Sequence, residues 1–327
     1  MSFLELCEVR AKQLKPIVVF ADAFDSRVLE AAQIIKRKQI GIPILLGAPI
    51  SLRNFAEECK ISTKGLRITS PTHDPDFNRH VKILFQQKKD KGLTKSEAEK
   101  LLRNPLYYST LMVKNGSADL CIAGNISSTT DVLRAGLQII GTAENTNTVS
   151  SFYIMQSPDE GHIYAFGDCS VIPRPTAEQL MDIAIRTACN FTRITGQEAR
   201  VAMLSFSTNG SAKHEMADKI KQAVIMLKEK KPSFNLVESE IQFDAAIIPE
   251  IGKRKFPESE GKAGKANVLI FPSLNAGNIG YKIAERMGGY TALGPFIQGL
   301  NRPIQDLSRG CTVQDIVKTF TAVTALI

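Results

Sequence analysis

The sequence predicts a two-domain α/β protein, and three observations carry that expectation. The chain has 327 residues, 43% of them apolar, which is more than one small core accommodates. Short apolar runs alternate with segments of helical period through both halves, the pattern of parallel βαβ units. Around residue 148 the alternation gives way to two adjacent strand-like runs, SSFYIMQ and HIYAFGD, joined by a polar turn, which reads as an antiparallel hairpin and marks a boundary.

In chain order, PIVVF (16–20), IPILLG (42–47) and GLRITS (65–70) read as strands, each followed by a helical segment: SRVLEAAQIIKRK, LRNFAEEC and FNRHVKILFQQKK. A polar stretch, KKDKGLTKSEAEK (88–100), leads to the helix PLYYSTLMVKNG, the buried strand ADLCIAG (118–124) and the helix TTDVLRAGLQIIG. Beyond the hairpin come the helix TAEQLMDIAIRTACNF, the strand RVAMLSFS, the helix KHEMADKIKQAVIMLKEK, a strand near FDAAIIP, a basic surface loop over 252–266, the strand ANVLIFP and the helix AGNIGYKIAERMG. The final segment, from Asp306, reads as a loop entering an amphipathic helix. These elements place a first domain over 1–147 plus 299–327 and a second over 148–298, with a cleft expected between them.

No apolar run reaches the roughly 20 residues that span a bilayer, and Glu5 and Glu8 interrupt the start where a secretory signal would be apolar. A cytoplasmic protein is expected, with no membrane partner. Cys7, Cys59, Cys121, Cys169, Cys189 and Cys311 form no CxxC pair, and His73, His80, His162 and His214 lack metal-ligand spacing, so reduced thiols and no metal are expected. The net charge of +8 is spread along the chain and aromatics are 7%, which argues against nucleic acid.

Three segments place small and polar residues between a strand and a helix. In GNISSTTDVLRAG (124–136), Ser127, Ser128, Thr129 and Thr130 sit where a helix end attracts phosphate, with Arg134 one turn on; helix capping by Thr129 or Thr130 explains the same residues. In FPSLNAGNIGYK (271–282), Asn275, Asn278, Tyr281 and Lys282 interleave with glycines that let a ligand approach, or that merely make a tight turn. In SRGCTVQD (308–315), Ser308 offers a hydroxyl, Arg309 a planar fork for phosphate oxygens and Gly310 room for a substrate. There Thr312 and Asp315 also have the spacing of a capping box.

Taken together, CIAGNISSTTDVLRAGLQIIGT, FGDCSVIPRPTAEQL, LSFSTNGSA, IQFDAAIIPE, ANVLIFPSLNAGNIGYKIAERMGGY and GPFIQGLNRPIQDLSRGCTVQDI resemble the phosphate acetyltransferase and butyryltransferase family, especially its acetyl-specific members, including those of ethanolamine utilisation. The resemblance runs from about residue 15 to the last residues. It implies a fold like that of isocitrate and isopropylmalate dehydrogenases and a homodimer formed by the second domain. It also implies transfer of an acetyl group between acetyl phosphate and coenzyme A, which acts as a substrate, with phosphate as the other product. By motif, the resemblance makes Ser308 the active-site serine, Arg309 the transition-state arginine, Asp315 the base and Arg134 a substrate-binding arginine. One departure stands out: the family commonly has Arg-Lys-His-Lys-Gly where this chain has Lys88, Lys89, Asp90, Lys91 and Gly92, so Lys88 replaces an arginine implicated in coenzyme binding, keeping its charge without its fork. A butyryl or propionyl transferase, and an oxidoreductase on the related fold, are the alternatives.

Overall fold

A computed structural model describes residues 2–144 and 146–327. The chain divides into two compact units, Met1–Ala143 with Leu300–Ile327, and Glu144–Gly299.

The first unit opens with helix α1 (Phe3–Leu14), closed at its start by a Ser2–Glu5 capping box. Strands β1 (Ile17–Phe20), β2 (Ile42–Leu46), β3 (Arg67–Thr69) and β4 (Leu120–Ala123) are linked by α2 (Ser26–Arg37), α3 (Pro49–Glu58) and then α4 (Phe77–Lys88), α5 (Lys95–Leu102) and α6 (Pro105–Lys114); α7 (Thr129–Ala135) follows β4. The polar stretch from Lys88 to Lys100 contains α5, whose Thr94–Glu97 capping box starts a helix that buries Ala98 and Leu102.

The second unit carries β5 (Ser150–Gln156), β6 (Ile163–Gly167), α8 (Ala177–Thr195), β7 (Arg200–Leu204), α9 (Glu215–Glu229), β8 (Asn235–Ile241), α10 (Phe243–Ile247), α11 (Pro249–Lys255), β9 (Val268–Ile270), α12 (Leu274–Arg286) and β10 (Thr291–Gln298). The chain then returns to the first unit as β11 (Ile304–Asp306) and α13 (Val313–Val323).

The first sheet has the order β11-β4-β1-β2-β3, every pair parallel. Alternation along its strands sends Val19, Ala21, Ile44 and Leu46 into one core with Leu84, Leu102, Tyr108 and Leu111. On the other side α13 packs against α1 and α2. The second sheet runs β10-β5-β6-β9-β7-β8, antiparallel at β10, β5 and β6 and parallel thereafter.

Three local expectations are corrected. FDAAIIP is not a strand but helix α10, and the strand is the preceding, less apolar NLVESEI; a short apolar run does not distinguish the two by period. The supposed surface loop over 252–266 begins inside α11 and buries Phe256, Ser259, Ala263 and Ala266. Asn275 and Asn278 lie within α12, whose N-cap is Ser273, instead of in a loop before it.

Gly277 shows why that helix is glycine-rich. A Cβ at this position would collide with the Asp168 carbonyl and lie 3.1 Å from Cys169 Sγ. Gly277→Ala should therefore lower unfolding stability by about 1–3 kcal/mol through overpacking, measurable as a shift in the urea midpoint; an unchanged midpoint would show that the two backbones separate freely.

Candidate active site

The carboxyl edge of a parallel sheet is where α/β proteins place ligands, and in the first unit the connections leaving β1, β4 and β11 meet there. Asp22, just after β1, accepts N–H groups from Gly124 (2.9 Å), Ile126 (3.1 Å) and Ser127 (2.9 Å), and the Ser127 hydroxyl at 2.6 Å. One carboxylate thus shapes the loop after β4. Gly124 has φ +99°, and a side chain there would strike the Asp306 carboxylate and approach Leu307 N to 2.6 Å.

The next turn of that loop is a helix start. Ser128, not Thr129 or Thr130, is the N-cap of α7; its hydroxyl accepts from Asp131 N at 3.1 Å and donates to Asp131 Oδ2 at 2.7 Å. Thr129 donates to Asp306 Oδ2 at 2.7 Å. The hydroxyls of Ser127, Ser128 and Thr129 are therefore engaged by carboxylates of the same unit, while Thr130 is exposed. Arg134 is exposed and pairs with Asp131 at 2.9 Å, an ion pair of little energetic weight that leaves its remaining donors to solvent.

Ser308, Arg309 and Gly310 form an exposed turn after β11, closed by a Cys311 N–H to Ser308 carbonyl bond of 3.0 Å. Ser308 Oγ accepts from Gly310 N at 3.3 Å, which leaves its own proton to donate. Among the described residues the Arg309 guanidinium has neither ion pair nor hydrogen bond. Thr312 caps α13, and Asp315 completes the capping box: its Oδ2 accepts from Thr312 N at 2.9 Å and Thr312 Oγ1 at 2.8 Å. Capping and chemistry are compatible here, because Oδ1 of Asp315 has no hydrogen-bond partner among the described residues.

Residues that the sequence reading passed over hold this turn. Arg27 Nη1 donates to the carbonyls of Arg309 (2.8 Å) and Cys311 (2.7 Å), and the same guanidinium grips Asp25 through Nε (3.0 Å) and Nη2 (2.6 Å). Asp25 also accepts from Asn125 Nδ2 at 3.0 Å and caps α2. Burial pushes the Asp25 carboxyl up, but the bonds from Arg27 and Asn125, with the Arg27 charge, outweigh it and hold the group below its ordinary value. The cue was available: the ADAFDSR segment leaves the first strand at the ligand-binding edge. Its partners are about a hundred or more residues away, and no local spacing reveals them.

Cys311 is buried, and burial raises its thiol above the ordinary value despite the nearby Arg27 charge. Such a thiol is a poor nucleophile. Lys88 is half-buried, and burial followed by Lys91 lowers its ammonium; Lys114 is lowered by burial, Lys88 and Lys91, so three like charges gather at this end of α4 and α6.

In the second unit, Asn278 Nδ2 is spent on the Cys169 carbonyl at 3.0 Å. Tyr281 stacks on Tyr153 at 4.2 Å, Lys282 lies 5.8 Å from the Tyr281 ring, and Asn275 is exposed. A cavity of that unit, lined by His162, Tyr164, Arg200 and Lys265 among others, contains none of the sequence-predicted residues. Among the described residues no group of three or more His, Cys, Asp or Glu could hold a metal ion.

Comparison with known proteins defines the class. The sequence matches the family described as phosphate acetyl/butaryl transferase over residues 2–325, so the chain belongs to that family of acyltransferases. It is 41% identical to the phosphate acetyltransferase of Acetivibrio thermocellus over 321 residues, covering 97% of this chain and 96% of that protein. Its structure is similar to the EutD phosphotransacetylase from Staphylococcus aureus, with a TM-score of 0.89, 35% identity and coverage of 100% of this chain and 99% of that one. The fold alone is shared with a 4-hydroxythreonine-4-phosphate dehydrogenase from Klebsiella pneumoniae, with a TM-score of 0.55, 10% identity and coverage of 96% and 100%. The two-unit, dehydrogenase-like α/β fold expected from the sequence is the fold observed, and no helix among the described residues is long and apolar enough to cross a membrane.

Asp306 supplies a pH signature of this edge. Burial first, with a smaller contribution from the Asp22 charge, raises its carboxyl to about 6, although the Thr129 hydroxyl bond lowers it. The folded state therefore holds a proton that the unfolded chain releases near pH 4, and stability falls as pH rises from about 4 to 6, by at most about 3 kcal/mol. Asp306→Asn, which can still accept from Thr129, should flatten that fall when urea midpoints are compared at pH 4.5 and 7. A slope matching that of the unsubstituted protein would contradict the assignment.

Proposed function

We propose that the protein is a phosphate acetyltransferase, exchanging an acetyl group between acetyl phosphate and the thiol of coenzyme A in a single ternary complex. The observation that carries the reading is the Ser308–Arg309–Gly310 turn. It offers an unpaired guanidinium, a hydroxyl free to donate and, on the following helix, a carboxylate with one free oxygen, in a chain 41% identical over nearly its whole length to a protein of that name.

In the direction of thioester formation, Asp315 takes the thiol proton and sulfur bonds to the acetyl carbonyl carbon. The C–O bond to phosphate breaks with its electron pair leaving on phosphate, which finally receives the proton. Arg309 binds the phosphoryl oxygens and stabilises charge growing on them; Ser308 donates a hydrogen bond to the reacting group. Arg134 and the lysines about Lys88 are the cations we assign to the coenzyme phosphates. Gly310 leaves the approach open. The unit-two residues Asn275, Tyr281 and Lys282 remain substrate-contact proposals, and Asn278 acts through the Cys169 carbonyl that it holds. Acetyl is preferred over butyryl or propionyl on the names of the relatives, and the dehydrogenase likeness at 10% identity carries fold without oxidoreductase chemistry. All six cysteines are free, which accords with a reducing, cytoplasmic setting.

A second copy of the chain is the partner we assign to α12. Ile279, Ile283 and the C-cap Met287 recur at helical spacing and are 57%, 52% and 84% exposed, an apolar stripe that favours burial against its own kind. Ile283→Glu should shift the purified protein toward monomer in light scattering; an unaltered mass would exclude this face.

Thiol consumption from coenzyme A with acetyl phosphate tests the chemistry. Arg309→Ala should lower kcat about 100-fold or more. Asp315→Asn keeps an acceptor for the Thr312 cap and should lower kcat by about 10²–10⁴, whereas Cys311→Ala should keep most activity. Trapping of acetyl on Cys311, or near-normal turnover by folded Arg309→Ala, would overturn these roles.

A further inference from the structure

We propose that Arg27 is a positioning residue that fixes the geometry of the catalytic turn without touching substrate. The inference rests on the reading of Ser308, Arg309 and Asp315 given above.

Arginine carries five N–H donors in a planar fork, and here each has a protein acceptor. Nε and one Nη2 hydrogen take the two oxygens of Asp25, at 3.0 and 2.6 Å; the two Nη1 hydrogens take the carbonyls of Arg309 and Cys311, at 2.8 and 2.7 Å; the remaining Nη2 hydrogen points to the Asn125 carbonyl at 3.5 Å. Nothing is left for a ligand, unlike Arg309. The hydrogen bond to Asp25 strengthens the guanidinium charge, and Asp25 is itself held by Asn125 and by its place as N-cap of α2. One side chain thus joins three connections: β1 to α2, β4 to α7, and β11 to α13.

The turn needs such a restraint. Gly310 sits between the two clamped carbonyls with open space about it, since a Cβ there would meet only Ser308 Oγ at 3.9 Å. Ser308, Arg309 and Gly310 are all exposed, so packing does not fix them. Fastening the carbonyls on either side of Gly310 sets the direction in which Arg309 and Ser308 project. Lysine at position 27 would keep the charge but not the planar fork, so charge and geometry separate cleanly.

The test uses the full-length protein carrying Arg27→Lys, assayed with acetyl phosphate and coenzyme A. We expect kcat to fall about 30-fold or more while each KM changes less than about threefold, the pattern of lost transition-state geometry. In Arg27→Ala, millimolar ethylguanidinium should restore part of kcat. An activity-independent readout is Cys311, whose Sγ lies 3.9 Å from Arg27 Nη1 in a buried position; its alkylation by iodoacetamide, followed by peptide mass mapping, should accelerate in the lysine variant. Folded Arg27→Lys with normal kcat, a loss confined to KM, or unchanged Cys311 alkylation would overturn the proposal. Should Arg27→Lys fail to fold, Asp25→Asn supplies the same readouts, and unchanged kcat and alkylation in it would be equally fatal. If the unsubstituted protein exchanges no acetyl group, the functional reading fails by itself, whereas Cys311 protection still reports on the clamp.

Discussion

The first unit is organised around carboxylates that take the place of absent backbone partners. Asp22 stands at the end of a central strand and gathers three N–H groups from the loop leaving β4. A buried N–H without an acceptor costs free energy comparable to a lost hydrogen bond, so this single side chain allows a loop of irregular backbone to lie at the sheet edge. Gly124, with its positive φ, brings that loop against Asp306 and Leu307, and the turn that begins at Ser308 follows directly. The geometry of the edge therefore rests on polar satisfaction beneath it as much as on the exposed groups above.

Asp25 and Arg27 repeat the device with a cation added. Because Asp25 accepts from Arg27 and Asn125 together, the charged pair is compensated by several hydrogen bonds where it is partly buried, the condition under which such a pair persists. Asp306 lacks this compensation: among the described residues one of its oxygens is buried without a partner, and burial raises its carboxyl to about 6. Two aspartates of the same unit thus have different environments, set by how many donors each receives.

Much of the architecture was legible from period and composition. The parallel strands around Val19, Ile44 and Ile122, the hairpin β5–β6 and the long helices α8 and α9 follow directly from patterning. What escaped notice had weak local signals. NLVESEI alternates around charged residues and hides a strand, FDAAIIP is too short for its period to be decisive, and β10 contains Pro295, which obscures strand character. At the candidate site, Ser308, Arg309 and Asp315 lie within one short segment, and the family resemblance names them through that motif. Asp22, Arg27 and Asp306 were not legible, because their partners are set by tertiary structure across about a hundred to nearly three hundred residues.

The return of the chain after Gly299 has a consequence for biogenesis. Strand β11 fills an edge of the first sheet beside β4, and α13 covers α1 and α2, so the earlier part of the polypeptide leaves the ribosome with an open sheet margin and an uncovered helical face. The intervening unit has its own core and can consolidate while the first waits. Chains released before this return would lack the Ser308–Asp315 segment altogether, so the order of synthesis makes the arrival of that segment coincide with closure of the scaffold that carries it.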